Sequence, residues 1–226
     1  MLGLRWVAIA RSPDIIVSMC NLYRMTSNAQ AIARLFAPLA NPQANLPVFE
    51  EVYPGHEAPV LVQDGGARRI GTMRWGWPPF GEIRRPVTNI RNLASPMWRS
   101  ALADPARRCL VPVTAFSEWS QTPDPATRRK RKHWFALKDQ PLFAFAGLWR
   151  PANDGARFAF LTCEANATVG RVHPKAMPVI LGTAQDATRW LTADGAEAAA
   201  MQRAYADEAM VEVEIADPPP VQPSLF

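Results

Sequence analysis

Residues 109–119 read Cys-Leu-Val-Pro-Val-Thr-Ala-Phe-Ser-Glu-Trp. The first seven, Cys109 to Ala115, have the length and content of a buried strand. A lone carboxylate, Glu118, follows at once between aromatic neighbours. Apolar runs of the same kind recur at 133–137, 142–149, 157–163 and 177–181, each bounded by turn signals. Upstream, residues 59–63 and 68–75 flank Asp64-Gly65-Gly66, the pattern of a β-hairpin. Residues 211–215, Val-Glu-Val-Glu-Ile, alternate as a late strand. Helices are fewer. Ser27 and Gln30 stand at capping-box spacing before Ile32, Leu35, Phe36 and Leu39, predicting a helix over about 28–37 stopped by Pro38. Thr183 caps a helix carrying Trp190 and Leu191, and Asp194-Gly195 separates it from an alanine-rich helix at about 196–206. Residues 78–88 and 120–132 read as loops, the second ending in a basic run. Together these predict one α+β domain over 19–215, with a mostly antiparallel β-sheet core and flanking helices.

Composition narrows the function classes. The chain has 226 residues, 48% of them hydrophobic, enough for a packed core and too many for a disordered chain. Its three cysteines include no Cys-x-x-Cys pair, which excludes an all-cysteine zinc site and a disulfide framework. No metal and no cofactor is expected. So few cysteines fit the reducing cytoplasm. No run reaches the roughly 18 apolar residues of a spanning helix. A net charge of +5 and a pI near 9.5 are compatible with nucleic-acid binding and equally with a soluble protein that happens to be basic. Residues 1–18 are broken by Arg5, Arg11, Pro13 and Asp14, lack a signal peptide's apolar core, and read as a leader foreign to the domain. The tail, 216–226, is proline-rich and expected to be extended.

Several polar clusters interrupt the apolar elements. They are Met19-Cys20-Asn21-Leu22-Tyr23-Arg24, Arg74-Trp75-Gly76-Trp77, Thr88-Asn89-Ile90-Arg91-Asn92, Phe116-Ser117-Glu118-Trp119, and Arg171 through His173, Lys175 and Met177 to Pro178. Each has a plain structural reading: Cys20 as a small buried hydrophobe, His173 as a surface or capping residue, the tryptophans as core. Cys109 and Cys163 lie in apolar strands and read as structural.

In this order, a Met-Cys, an Asn-x-Arg, a Glu-Trp and a His ahead of Met-Pro resemble the SRAP family, the abasic-site processing proteins once called SOS response-associated peptidases. The resemblance runs from Met19 to about Leu181 and includes Pro54-Gly55 and Trp75-Gly76. It implies a single α+β domain with a positively charged groove for single-stranded DNA containing abasic sites, acting as a monomer. It also implies the chemistry, in which a cysteine exposed as residue one captures the aldehyde of an abasic sugar as a thiazolidine. Carried over, that cysteine is Cys20, the polar asparagine Asn89, the phosphate-binding arginine Arg91, the glutamate Glu118 and the histidine His173.

The residue types suit that reaction. An α-amine, with a pKa of about 7.7–8.0, keeps a neutral fraction that a lysine near about 10.4 does not. An N-terminal cysteine adds a thiol two carbons away, so imine formation is followed by intramolecular ring closure. His173 is expected to shuttle the proton that opens the sugar. Glu118 would move protons at the amine and leaving oxygen, or drive an associated lyase step. Arg91 would clamp a phosphate with its planar fork. Trp75, Trp77 and Trp119, flanked by Arg74, are expected either to stack on bases or to pack in the core. Arg128 to Lys132 reads as a phosphate track or a solvated loop.

This sequence departs from the family pattern in places. Cys20 follows 19 residues, so its nitrogen is an amide as written. Initiation at Met19, or proteolytic removal of the leader, would free it. The common Cys-Gly-Arg start is here Cys20-Asn21-Leu22-Tyr23-Arg24, which leaves the part played by Arg24 open. The usual His-x-Arg-Met-Pro is one residue longer, with Lys175 as a point charge in place of the arginine. Two other functions compete: a thiol peptidase built on Cys20 and His173, and a non-enzymatic single-stranded DNA-binding module.

Overall fold

All six residues from Arg108 to Val113 are buried, so this strand has protein on both faces. A computed structural model describes residues 20–42, 45–78 and 86–216. The leader, residues 79–85 of the first loop and all but Ala216 of the tail lie outside the described residues. The strands are β1 (Leu22–Met25), β2 (Phe49–Val52), β3 (Glu57–Asp64), β4 (Ala67–Trp75), β5 (Asn89–Ile90), β6 (Arg108–Val113), β7 (Ala115–Pro123), β8 (Lys130–Leu137), β9 (Phe143–Ala152), β10 (Gly155–Cys163), β11 (Met177–Pro178), β12 (Ile180–Leu181) and β13 (Met210–Val213). The helices are α1 (Ala29–Leu35), α2 (Pro96–Ala103), α3 (Ala167–Gly170), α4 (Ala184–Thr192) and α5 (Gly195–Ala200).

Two sheets result. The first is antiparallel throughout, in the order β13-β8-β7-β1-β2. In the second, β4, β3, β6, β9 and β10 follow one another, and β10 pairs with both β9 and β4. The five strands therefore close into a ring, which leaves them no free edge. The closing β10–β4 pair and the short β10–β5 pair are parallel, exceptions to the antiparallel expectation. The sheets meet over aromatic side chains. Tyr23 and Phe116 from the first sheet sit 6.0 and 5.8 Å from Phe145 of the ring, and Tyr23 lies 5.3 Å from Trp75.

The period of two along β7 positions the site. Phe116 packs in that interface, so Glu118 points to the same inner face and is 2% exposed. Trp119 turns outward and is 38% exposed.

Arg108 is fully buried and makes no direct ion pair among the described residues, though Asp104 and Asp194 lie near enough to favour its charge. It donates instead to the carbonyls of Leu102, Trp190 and Ala193 at 2.9, 3.0 and 2.6 Å. These belong to the ends of α2 and α4, where carbonyls lack helical partners, and a cation suits both dipoles. Arg108→Met leaves those carbonyls dry and unpaired. We expect a loss of about 3 kcal/mol in denaturant unfolding, with the fold retained.

Local details differ from the sequence reading. Residues 120–132 are largely a hairpin, not a loop: β7 and β8 pair from Phe116↔Phe135 to Pro123↔Lys130. Polar side chains hid these strands because one end of the ribbon is solvated on both faces. The α1 cap is Asn28, whose Oδ1 accepts from Ala31 N at 2.9 Å, not Ser27 with Gln30. The alanine-rich helix ends at Ala200, short of the expected 206. The hairpin at Gly65-Gly66 and the Thr183 cap of α4 form as expected.

Candidate active site

Leu22 on β1 pairs with Ser117 on β7, so the antiparallel ladder carries residue 20 alongside Glu118 and Trp119. Cys20 is 1% exposed there, two residues ahead of the start of β1. Its main chain is held from two sides. Asn89 Nδ2 donates to the Cys20 carbonyl at 3.1 Å, and the Glu118 carboxylate accepts a backbone hydrogen bond from Cys20. The thiol turns away, with Sγ 3.8 Å from the Leu22 carbonyl it donates to. Asn89 reaches this point because β5 lies parallel to β10, with Asn89 opposite Phe160.

His173 completes the cluster. The turn after α3 anchors it, its own N–H donating to Val169 O at 2.9 Å. Nδ1 donates to the Ala176 carbonyl at 3.0 Å and lies 3.8 Å from Glu118 Oε2. The Ala176 contact keeps a proton on Nδ1 and leaves the Nε2 lone pair available in the neutral ring. The structure thus brings Cys20, Asn89, Glu118 and His173 together from four separate segments.

Electrostatics follow from burial. Desolvation pushes the Glu118 carboxyl well above the ordinary carboxylate range, against the opposing pull of the Cys20 hydrogen bond. Burial, then the Glu118 charge, pushes the Cys20 thiol well above its usual value, with the Leu22 contact opposing. Glu118 Oε1 and Asn89 Oδ1 are buried without a hydrogen-bond partner among the described residues. Two unpaired acceptors beside one residue's main chain suit an incoming donor. Among the described residues no group of three or more His, Cys, Asp or Glu is placed to hold a metal ion, and no helix is long and apolar enough to cross a membrane.

Arg91 lies just past β5, partly exposed, with Nη2 3.6 Å from Glu164 Oε1. Lys175 is exposed two residues after His173. The tryptophans divide. Trp75 is fully buried, 5.0 Å from Phe160 and donating Nε1–H to Thr88 O, so it offers no face to a base. Trp77 is 3% exposed and packs edge-on against Trp98 at 4.8 Å. Both are core residues, which corrects the stacking expectation for them. Arg74 faces Glu57 at 3.9 Å; it pairs with Arg157 of β10, on the strand edge where Asn89 pairs with Phe160 three residues further along. Trp119 remains available, with Lys132 Nζ 5.8 Å from its ring centre. Lys132, read as part of a loop run, belongs to β8 and also sits 5.6 Å from the Trp134 ring. Arg24 shares that face, over Trp134 at 5.7 Å and ion-paired with Glu50. Sequence reasoning missed Gln202, whose Nε2 donates to Arg91 O and Thr162 O, both at 2.8 Å. It lies 111 residues from Arg91 and carries no motif.

A closed five-strand ring with an attached antiparallel sheet, and a buried Cys-Asn-Glu-His cluster between them, define the class. The chain belongs to the SOS response associated peptidase (SRAP) family, whose pattern matches residues 19–217. Among particular relatives, it is 31% identical over 152 residues to abasic site processing protein YoqW of Bacillus subtilis (strain 168), covering 62% of this chain and 65% of that one. Similarity to YobE of the same organism, also named an abasic site processing protein, is 32% over 152 residues, covering 62% and 66%. The matches span just under two thirds of those relatives' lengths. A solved protein from Bacteroides thetaiotaomicron has the same fold, with a TM-score of 0.70 at 23% identity over 85% of this chain and 90% of that one. A protein from Bordetella bronchiseptica matches at 0.66 and 22%, over 87% and 100%.

Proposed function

We propose that this protein processes abasic sites in single-stranded DNA by covalent capture on Cys20, once Cys20 is the first residue. One observation carries this reading: Asn89 and Glu118 hold the main chain of Cys20, not its sulfur. A site that grips the nitrogen and carbonyl of one residue suits chemistry at that nitrogen. The names of the relatives supply the substrate class. The family match begins at residue 19, which supports Met19 as the working start and Met removal as the step that frees the amine.

The steps follow from the geometry. His173 exchanges a proton with the closed sugar and releases the aldehyde. The neutral amine of Cys20 attacks the carbonyl carbon, and the resulting carbinolamine loses one water to give an imine. Glu118, whose carboxyl burial pushes above the ordinary range, donates a proton to the departing oxygen. The thiol then adds across the C=N bond. Its proton ends on the nitrogen by way of the Glu118 carboxylate, and no further atom leaves. Asn89 fixes the residue through its carbonyl. Arg91 and Lys175 hold phosphates, Trp119 offers an exposed ring to a base, and Glu118 also serves a slower β-elimination at the lesion.

The thiol-peptidase reading fits less well. Such an enzyme needs an acidified thiol paired with its histidine. Here burial and Glu118 raise the Cys20 thiol, and His173 turns to Ala176 and Glu118.

The test is incubation of the Met19-initiated protein with a single-stranded oligonucleotide carrying one abasic site. A denaturation-resistant adduct that forms on that strand and not on an intact one is the expected result. Absence of any adduct contradicts the proposal. His173→Ala should slow adduct formation about a hundredfold at saturating oligonucleotide, measured as a single-turnover rate, with the final yield unchanged.

A further inference from the structure

Beside Arg91 lies a cavity of about 430 Å³, lined by Arg91, Cys163, Glu164, Gln202 and Arg203. Three elements meet there: the end of β5, the end of β10 and the turn after α5. Gln202 fixes their relative positions, donating from Nε2 to the carbonyls of Arg91 and Thr162. Arg203 is the next residue, so this brace fixes the backbone from which Arg91 and Arg203 extend to the same cavity. The Arg203 side chain is exposed and has no ion pair among the described residues.

We propose, resting on the DNA reading above, that this cavity extends the Arg91 phosphate site, with Arg203 as its outer arm and Glu164 standing in for the phosphate on Arg91 in the free protein. Two guanidinium groups on one rim match a phosphodiester, whose two free oxygens accept from both. The Glu164 carboxylate is 90% exposed and meets Arg91 at only 3.6 Å. Such a pair is weak and readily exchanged. Cys163, also in the wall, is compatible with an anion. Burial pushes the Cys163 thiol up to about 11, with Arg91 opposing, so it stays neutral at physiological pH. The location also fits. Arg91 follows Asn89, which holds Cys20, by two residues of extended chain, about 7 Å. So short a separation puts a phosphate bound here next to the captured sugar.

The experiment measures binding, separated from capture. The probe is a single-stranded oligonucleotide with a tetrahydrofuran at the lesion, which has no aldehyde, titrated with the full chain by fluorescence anisotropy over a range of salt. Arg203→Ala should weaken binding about fivefold and lower the salt slope by about 0.7. Glu164→Gln should tighten binding about threefold, because Arg91 no longer releases a carboxylate to bind a phosphate. Thermal melts of both variants should match the parent, since both side chains are exposed. An Arg203→Ala chain that keeps affinity and slope overturns the subsite. A Glu164→Gln chain that binds no tighter overturns the stand-in role. If the unaltered chain does not bind the oligonucleotide at all, the DNA reading itself fails and this subsite with it.

Discussion

Cys20→Ser is expected to abolish the stable adduct while leaving binding to intact single strands within about twofold. Serine keeps the α-amine and can still form an imine, but an imine in water hydrolyses. The thiol prevents this by closing a five-membered ring on the same carbon. A well-placed intramolecular nucleophile acts at an effective molarity of about 10⁵ M or more, so we expect the adduct surviving a water wash to fall by at least about a thousandfold. The measurement is a denaturing gel before and after hydride reduction. Reduction traps the imine of the serine variant and leaves the parent adduct unchanged in amount. A serine variant that crosslinks as stably as the parent without reduction would rule out the ring.

Glu118→Gln carries the second large effect, and it acts on both rate and stability. Glutamine has the shape to accept the hydrogen bond from Cys20 but cannot move a proton. Capture should slow about 10²- to 10⁴-fold, the range for loss of one general acid–base. Stability should move the other way. Burial raises the folded-state pKa of Glu118 above the unfolded value of about 4.3. The unfolded chain then loses its proton first, so the contribution of this group to stability is complete below about pH 4.3 and declines as pH rises towards the folded pKa. Glutamine pays no such penalty. In the unprocessed chain, where residue 20 is an amide, the variant should melt above the parent at pH 8 and level with it near pH 3. Parallel melting curves across that range would show that the buried carboxyl is not the cause. In the processed chain an α-ammonium would face Glu118 and shrink the difference.

The sequence makes the interior legible where burial imposes a period. The runs around 109–115, 142–149 and 157–163 became β6, β9 and β10, because strands buried on both faces must be apolar at almost every position. It hides elements whose faces are wet. The ribbon from Trp119 to Lys132 carries threonine, lysine and arginine, and only backbone pairing makes it a hairpin. Of the site, Cys20, Asn89, Glu118 and His173 were readable as an ordered set. What that set does not contain is direction. That Glu118 points inward and Trp119 outward follows from the register of β7 on β1. That Trp75 is core follows from the aromatic cluster it forms with Tyr23 and Phe160. Gln202 and Arg203 reach Arg91 only through the closure of the chain over β10, which no local motif encodes.

The central claim is that the amine of Cys20, freed as residue one, is the capturing group. Mass spectrometry of the adduct tests it most directly. Protein isolated from its native host is reacted with an oligonucleotide bearing one abasic site, digested, and the modified peptide sequenced. The expected product is a peptide beginning at Cys20, with the sugar attached at the masses of peptide and oligonucleotide less one water. A stable adduct mapping to a lysine, or to a chain that still carries residues 1–18, would contradict it.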